Sequence, residues 1–184
     1  TKDIQEDENG EYQIINLADV QDGELALDRL KRYTISNNAK VSAYEVQEND
    51  IIITARGELT KICCIPDIGK KVLLSQNFYG MRLKNNYYSP KIIKMYLESP
   101  VGQYMLAKKK SGTAIPLLSV NDLKTILLPD IEDKKQREAI FYMEMKMKEL
   151  EERRKQLAWE EKEMKLDAWR RMGIDGFFKI IEEK

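Results

Sequence analysis

The chain has 184 residues, 42% hydrophobic and 34% charged, with Lys+Arg and Asp+Glu balanced at 31 each for a formal net charge of zero. That length and apolar content build one compact domain with room for an appendage, and exclude collagen-like, mucin-like and wholly disordered chains. With no histidine and only Cys63 and Cys64, a tetrahedral zinc site, a Ser-His-Asp triad and a Cys-His dyad all lack parts, so no metal and no cofactor are expected.

No stretch reaches the ~20 uninterrupted apolar residues that a bilayer span needs. The first thirty residues show no signal-peptide pattern. A cytoplasmic protein with no membrane partner is therefore expected. A net charge of zero argues against a stand-alone nucleic-acid binder, but the average hides a split. Residues 1–30 hold nine acids against two bases, a net of −7, whereas residues 61–110 hold ten bases against two acids, a net of +8. The middle segment can line a phosphate backbone, or it is simply a solvated lysine-rich surface.

In chain order, residues 1–11 are polar and acidic and are expected to be flexible. "YQIINLADV" and "AYEVQENDIIITARG" read as strands, the second through alternation at Tyr44 and Val46 and the apolar run Ile51-Ile52-Ile53 before a Gly57 turn. In "KICCIPDIGKKVLLSQNFYGMRL" short apolar segments are broken by Pro66-Asp67, Gly69 and Gly80, a pattern that predicts hairpins. Cys63 and Cys64 fall in one strand and should face opposite ways, one to the core and one near the surface.

Helix punctuation follows. Ser89-Pro90 and Ser99-Pro100 each place an N-cap hydroxyl before a proline suited to the first helical position, and Ser119 with Asp122 resembles a capping box. Short amphipathic helices are predicted over "PKIIKMYLE", "PVGQYMLAKKK" and "VNDLKTILL". Between the last two lies "KKKSGTAIP", a basic loop in which Gly112 lets backbone N–H groups approach an anion. From Lys134 to Arg171 there is neither Gly nor Pro and strong helix formers dominate, which predicts one helix of about 55 Å. Met143, Leu150, Leu157 and Met164 recur every seven residues, with Ile140 and Met147 at the alternating positions before Arg154 and Glu161 interrupt them. Such a seam pairs with another helix or folds back along its own body. Gly173 ends the helix, and Phe177, Phe178, Ile180 and Ile181 form an apolar tail that must dock. The predicted organisation is a flexible segment 1–11, a globular domain 12–133, a long helix 134–172 and a tail 173–184.

Local support for catalysis is missing. There is no GxGxxG, no GxxxxGK and no Asn-Pro-Pro before an aromatic. Pro129-Asp130 with Glu132 and Lys134 imitates nuclease elements at a spacing too tight for two strands. The acids of the long helix alternate with lysines as i, i+4 partners, which solubilise it.

The order of elements carries a resemblance. "YEVQENDIIITARGELTK", then "LLSQNFYGMRLKNNYYSPKIIKMYLESPVGQYMLAKKKSGTAIPLLSVNDLKTILLPDIEDKKQREAI", then the long helix resemble one target-recognition domain and its spacer helix from the DNA specificity subunits of type I restriction-modification enzymes. The likeness runs over roughly 44–170, with a weaker echo in "GEYQIINLADVQDGEL". Its marks are Asn49-Asp50-Ile51-Ile52 leading to Arg56-Gly57, Tyr96-Leu97 to Gly102, Ser111-Gly112-Thr113, Leu118 to Leu123 before Pro129, and Gln136 at the helix entry. The resemblance implies an α+β fold, a mixed-sheet domain followed by a helix that pairs in an antiparallel coiled coil. It also implies a non-catalytic module that reads one half of a bipartite double-stranded DNA target for an adenine methyltransferase subunit. Full specificity subunits resemble two such halves in tandem, whereas this chain has one. It therefore reads as a half-length subunit that dimerises, an excised half, or the C-terminal recognition part of a fused DNA methylase, and the opening Thr1 favours the last two.

In a module of this kind loops enter the major groove while lysines hold phosphates. The phosphate candidates are Lys61, Lys70, Lys71, Lys84, Lys108, Lys109 and Lys110, with backbone donors from Ser111 and Gly112. The base-reading candidates are Arg56, Gln76, Asn77 and Thr113, and the helix-pairing set is Ile140, Met143, Met147, Leu150, Leu157 and Met164. The rival reading is a structural coiled-coil adaptor whose globular part docks on protein; a cryptic nuclease ranks third.

Overall fold

The computed structural model of the chain describes residues 4–36, 41–69, 71–112 and 115–174. Ten strands, β1 (Ile4–Glu6), β2 (Tyr12–Ile15), β3 (Val20–Gln21), β4 (Glu24–Leu25), β5 (Arg32–Ile35), β6 (Glu45–Val46), β7 (Ile51–Thr54), β8 (Ile62–Cys64), β9 (Val72–Leu74) and β10 (Phe78–Met81), precede four helices. These are α1 (Pro90–Glu98), α2 (Pro100–Lys109), α3 (Val120–Leu123) and α4 (Asp133–Arg171). The predicted class holds: a mixed-sheet domain followed by one long helix. The chain divides into a compact unit over 1–136 and a second over 137–184.

The first unit is layered. A five-stranded sheet runs in the order β1-β5-β2-β9-β6, and a three-stranded sheet in the order β10-β7-β8. Between them lies a core that includes Ile15, Val20, Val46, Ile52, Cys63, Val72 and Phe78. On the other side of the smaller sheet Ile51, Ile53 and Ile62 meet Ile93, Leu97, Leu106 and Leu118. The run Ile51-Ile52-Ile53 is thus apolar without alternation because β7 is covered on both faces.

Several elements differ from expectation. The acidic start does not fray throughout: β1 pairs antiparallel with β5, Ile4 facing Ile35. Glu6 meets Lys31, while Asp7 accepts from the Thr34 hydroxyl at 2.7 Å and the Asn9 N–H at 2.9 Å. These bonds hold the Asp7 carboxyl below its usual range. Residues 41–44 form a 3-10 turn, so β6 begins only at Glu45. β7 and β8 make the predicted hairpin, but β9 leaves that sheet and pairs parallel with β2, Ile14 beside Leu73. Val72 and Leu73 are buried there, so the crossing places apolar residues in the core that a simple hairpin would leave at an edge.

The serine caps form as read for α2 and α3: Ser99 Oγ accepts from Gly102 N–H at 3.2 Å, and Ser119 Oγ from Asp122 N–H at 3.0 Å. Gly102 is obligatory, since a Cβ would stand 2.2 Å from the Tyr96 carbonyl oxygen where α2 crosses the end of α1. The third helix is one turn, not nine residues, because the chain beyond it is held extended. The Tyr96 hydroxyl donates to the Leu127 carbonyl at 2.9 Å and the Tyr88 hydroxyl to the Pro129 carbonyl at 3.0 Å. Pro129 also biases Leu128 away from helix.

Gln136 closes the unit. It is only 3% exposed. Its Oε1 accepts from Ser89 N–H at 3.0 Å while its Nε2 donates to the Tyr87 and Ile131 carbonyls, each at 2.9 Å. The Ser89 hydroxyl makes no cap bond of its own.

The second unit is the body of α4. Ion pairs one turn apart brace it, Lys146 and Arg153 with Glu149, Lys155 with Glu151, Lys165 with Glu161 and Arg171 with Asp167. The seam residues Met143, Leu150, Leu157 and Met164 are open, from 40% exposed at Met143 to 64% at Met164. No helix among the described residues is long and apolar enough to cross a membrane. The tail residues Phe177, Phe178, Ile180 and Ile181 lie outside the described residues.

Candidate nucleic-acid interface

One end of the three-stranded sheet collects loops from three parts of the chain. β7 continues past Thr54 into Ala55, whose N–H donates to the Asn77 carbonyl at 2.8 Å and whose carbonyl accepts from Leu118 N–H at 2.9 Å. Arg56 then bridges to Leu117, and Gly57 N–H donates to the Pro116 carbonyl at 2.9 Å. Ser111 and Leu117 exchange both backbone bonds, at 2.9 and 2.8 Å, so the loop leaving α2 is closed at its base. Glycines permit both turns: φ is 101° at Gly57 and 102° at Gly112. Arg56, Gln76, Asn77, Ser111 and Gly112 are thereby brought together, with Lys108 and Lys109 on the last turn of α2 beside them.

Two lysines of this group already have partners. Lys110 Nζ donates to the carbonyls of Gly57 and Glu58, both at 2.8 Å, stapling the β7–β8 turn to the loop that follows α2. Burial pulls its pKa below the ordinary lysine value. Lys61 Nζ donates to the carbonyls of Leu17 and Val20, both at 2.7 Å, tying the same hairpin to the turn before β3. Lys108 is exposed, its ammonium 4.8 Å from the centre of the Tyr104 ring. Basic residues in the last turn also suit the helix dipole.

The remaining candidates lie elsewhere. Lys71 stands at the opposite end of β9 from Gln76 and pairs with Glu11. Lys84 follows β10, at the end of the sheet where Met81 faces Ile51 and away from Arg56. Lys70 and Thr113 lie outside the described residues. Nearby, Asp50 is buried and holds the Arg82 guanidinium through two bonds of 2.7 and 2.6 Å, with Gln47 N–H adding a third at 2.8 Å. That cluster braces the turn before β7, and it explains Asn49-Asp50 as a structural mark.

Cys63 is buried and Cys64 partly so, as the strand alternation required. Burial pushes the thiols up to about 12 and about 11, far from the thiolate range of a nucleophile. Among the described residues no group of three or more acids and cysteines is placed to hold a metal ion.

The sequence reading passed over Leu59 and Ile115, two large apolar side chains in the stapled loops, 81% and 66% exposed. Their signal is faint but present: each is a large apolar residue two or three positions after a turn glycine, Leu59 after Gly57 and Ile115 after Gly112.

These loops, the layered sheets and the helix after them are those of a known family. The sequence profile of the type I restriction modification DNA specificity domain matches residues 1–157. The chain belongs to that family. It is 27% identical over 124 residues to the type I restriction enzyme EcoBI specificity subunit of Escherichia coli, a match covering 66% of this chain and 26% of that protein. Among solved structures, a chain from a type I R-M system superposes with a TM-score of 0.64 at 18% identity, covering 87% of this chain and 42% of the other. The HsdS subunit from Thermoanaerobacter tengcongensis superposes at 0.58 and 19%, covering 76% and 36%. The chain thus spans about a quarter to two fifths of the length of these relatives.

Proposed function

We propose that this chain reads one half of a bipartite double-stranded DNA target for a type I restriction-modification system, delivering it to a methyltransferase subunit and contributing no catalysis. The observation that supports this best is the convergence of Arg56, Gln76, Asn77, Ser111 and Gly112 at one end of a sheet, flanked by Lys108 and Lys109. Arg56 has the donor geometry for guanine O6 and N7, and the amides of Gln76 and Asn77 for adenine N6 and N7. Lys108 and Lys109 neutralise phosphates, and the Gly112 turn offers backbone donors. Lys61 and Lys110 act one step back, holding the loops in place.

In this reading α4 pairs antiparallel with a like helix, from a second copy or a further half, and spaces two recognition domains along the duplex. The open row of Met143, Leu150, Leu157 and Met164 supports the pairing. Ile140 and Met147 complete the seam, and Arg154 and Glu161 restrict its register.

The test is selection from a random duplex library by the chain co-purified with its methyltransferase subunit. One enriched half-site is expected, with affinity falling steeply as salt rises. An unenriched pool, or a salt-insensitive complex, refutes the reading.

A further inference from the structure

Leu59 and Ile115 stand out among the exposed groups of this end of the domain. Leu59 lies in the turn of the β7–β8 hairpin, and Ile115 stands two residues before Leu117, which pairs with Ser111. The two loops run side by side: Arg56 bridges to Leu117, and Gly57 N–H donates to the Pro116 carbonyl. Lys110 then fixes the arrangement through the Gly57 and Glu58 carbonyls. Leu59 is itself anchored through its backbone, its carbonyl accepting from the Thr54 hydroxyl at 3.3 Å. Two apolar side chains are thus carried open to water on neighbouring loops, at the end of the sheet that also holds Arg56 and the basic last turn of α2.

That combination is unsuited to a protein partner, because two side chains fall far short of the ~1,000 Å² that a specific protein interface buries. It suits a base-pair edge. In the major groove the apolar feature is the 5-methyl group of thymine, which aliphatic side chains can contact while cationic neighbours hold the adjacent phosphates.

We infer that Leu59 and Ile115 are specificity-determining residues that read thymine methyl groups in the half-site this chain recognises. The inference rests on the DNA-reading proposal above and adds to it a requirement: the half-site contains at least one A·T pair at a position covered by these loops. Polar candidates supply hydrogen bonds to the neighbouring bases, and the apolar pair supplies discrimination against cytosine and uracil at its own position.

The experiment uses the selected half-site and the chain in its assembly with the methyltransferase subunit. Each thymine is replaced in turn by deoxyuridine, which removes the methyl and leaves every hydrogen-bonding group. Affinity is expected to fall about fourfold at one or two adjacent positions, the value of one buried methyl-sized group. Leu59→Ala and Ile115→Ala are expected to bind the thymine duplex less tightly and to lose the thymine–uracil difference at that position, while Leu59→Met retains part of it. Both residues are largely exposed, so the variants should keep the wild-type circular dichroism and melting temperature.

A half-site of G·C pairs only, a full set of uracil duplexes that bind equally, or a uracil effect that survives in both alanine variants overturns the inference while leaving the DNA-reading proposal standing. Alanine variants that weaken every duplex equally and reduce DNA bending mark the pair as an inserted wedge instead, and overturn it as well. A library that yields no half-site at all refutes the DNA-reading proposal, and this inference falls with it.

Discussion

Replacing Lys110 by Met removes an ammonium but keeps the aliphatic stem, and it separates two roles that three consecutive lysines would otherwise share. The structure gives Lys110 two charge-assisted hydrogen bonds of 2.8 Å to the carbonyls of Gly57 and Glu58. Such bonds are worth about 1.5–3 kcal/mol each when sheltered. The group is partly open to water, so the pair is discounted to about 1–2 kcal/mol. Loss of the staple should lower the melting temperature by about 2–8 °C for a chain of this size. It should weaken DNA binding by about 5- to 30-fold as the loops lose their shared position. The slope of log affinity against log salt should stay unchanged, because no phosphate contact is lost. Replacing Lys108 and Lys109 together by Ala should do the reverse, leaving stability near wild type and flattening the slope by about 1.8, at ~0.9 per phosphate. Salt titrations of binding, run beside thermal melts of each variant, distinguish the two. A Lys110→Met protein that melts like wild type and loses about 0.9 from its slope would refute the staple and make Lys110 a phosphate ligand.

Three further outcomes are expected. Gln136→Leu strands the Ser89 N–H and the Tyr87 and Ile131 carbonyls, and urea denaturation should show a loss of about 2–4 kcal/mol; a loss below about 1 kcal/mol would contradict the bonding described. Cys63 and Cys64, with thiols raised to about 12 and about 11, should resist a disulfide reagent at pH 8 in the native protein and react on unfolding, so rapid native labelling of either rules out their burial. Changing Leu150 and Leu157 to Asp should abolish self-association through α4 in light scattering while circular dichroism still reports a helix; a wild-type chain that scatters as a monomer, with its seam protected from hydrogen exchange, ends the spacer model.

Where a feature depended on neighbours along the chain, the amino-acid sequence alone determined it. The serine caps of α2 and α3 and the uninterrupted helix formers of α4 act within a turn or two, and each is found within a residue of its expected start. The family resemblance was legible for the same reason, since its marks are short motifs in a fixed order. Length and pairing were not. Tyrosine hydroxyls that reach Leu127 and Pro129 from more than thirty residues away cut α3 to one turn. β9 found β2 across nearly sixty residues because burial of Val72 and Leu73 outweighed the local hairpin. The site shows the same division most clearly. Composition marked the lysines of residues 61–110 as a basic group, but only tertiary structure separated Lys61 and Lys110, whose ammonium groups are taken up by distant carbonyls, from Lys108 and Lys109. It also carried Lys71 and Lys84 to other ends of their sheets and set Leu59 beside the loop of Ile115. Residue type decides which bonds a side chain is able to make, whereas the partner it makes them with depends on which distant backbone the fold brings within about 3 Å.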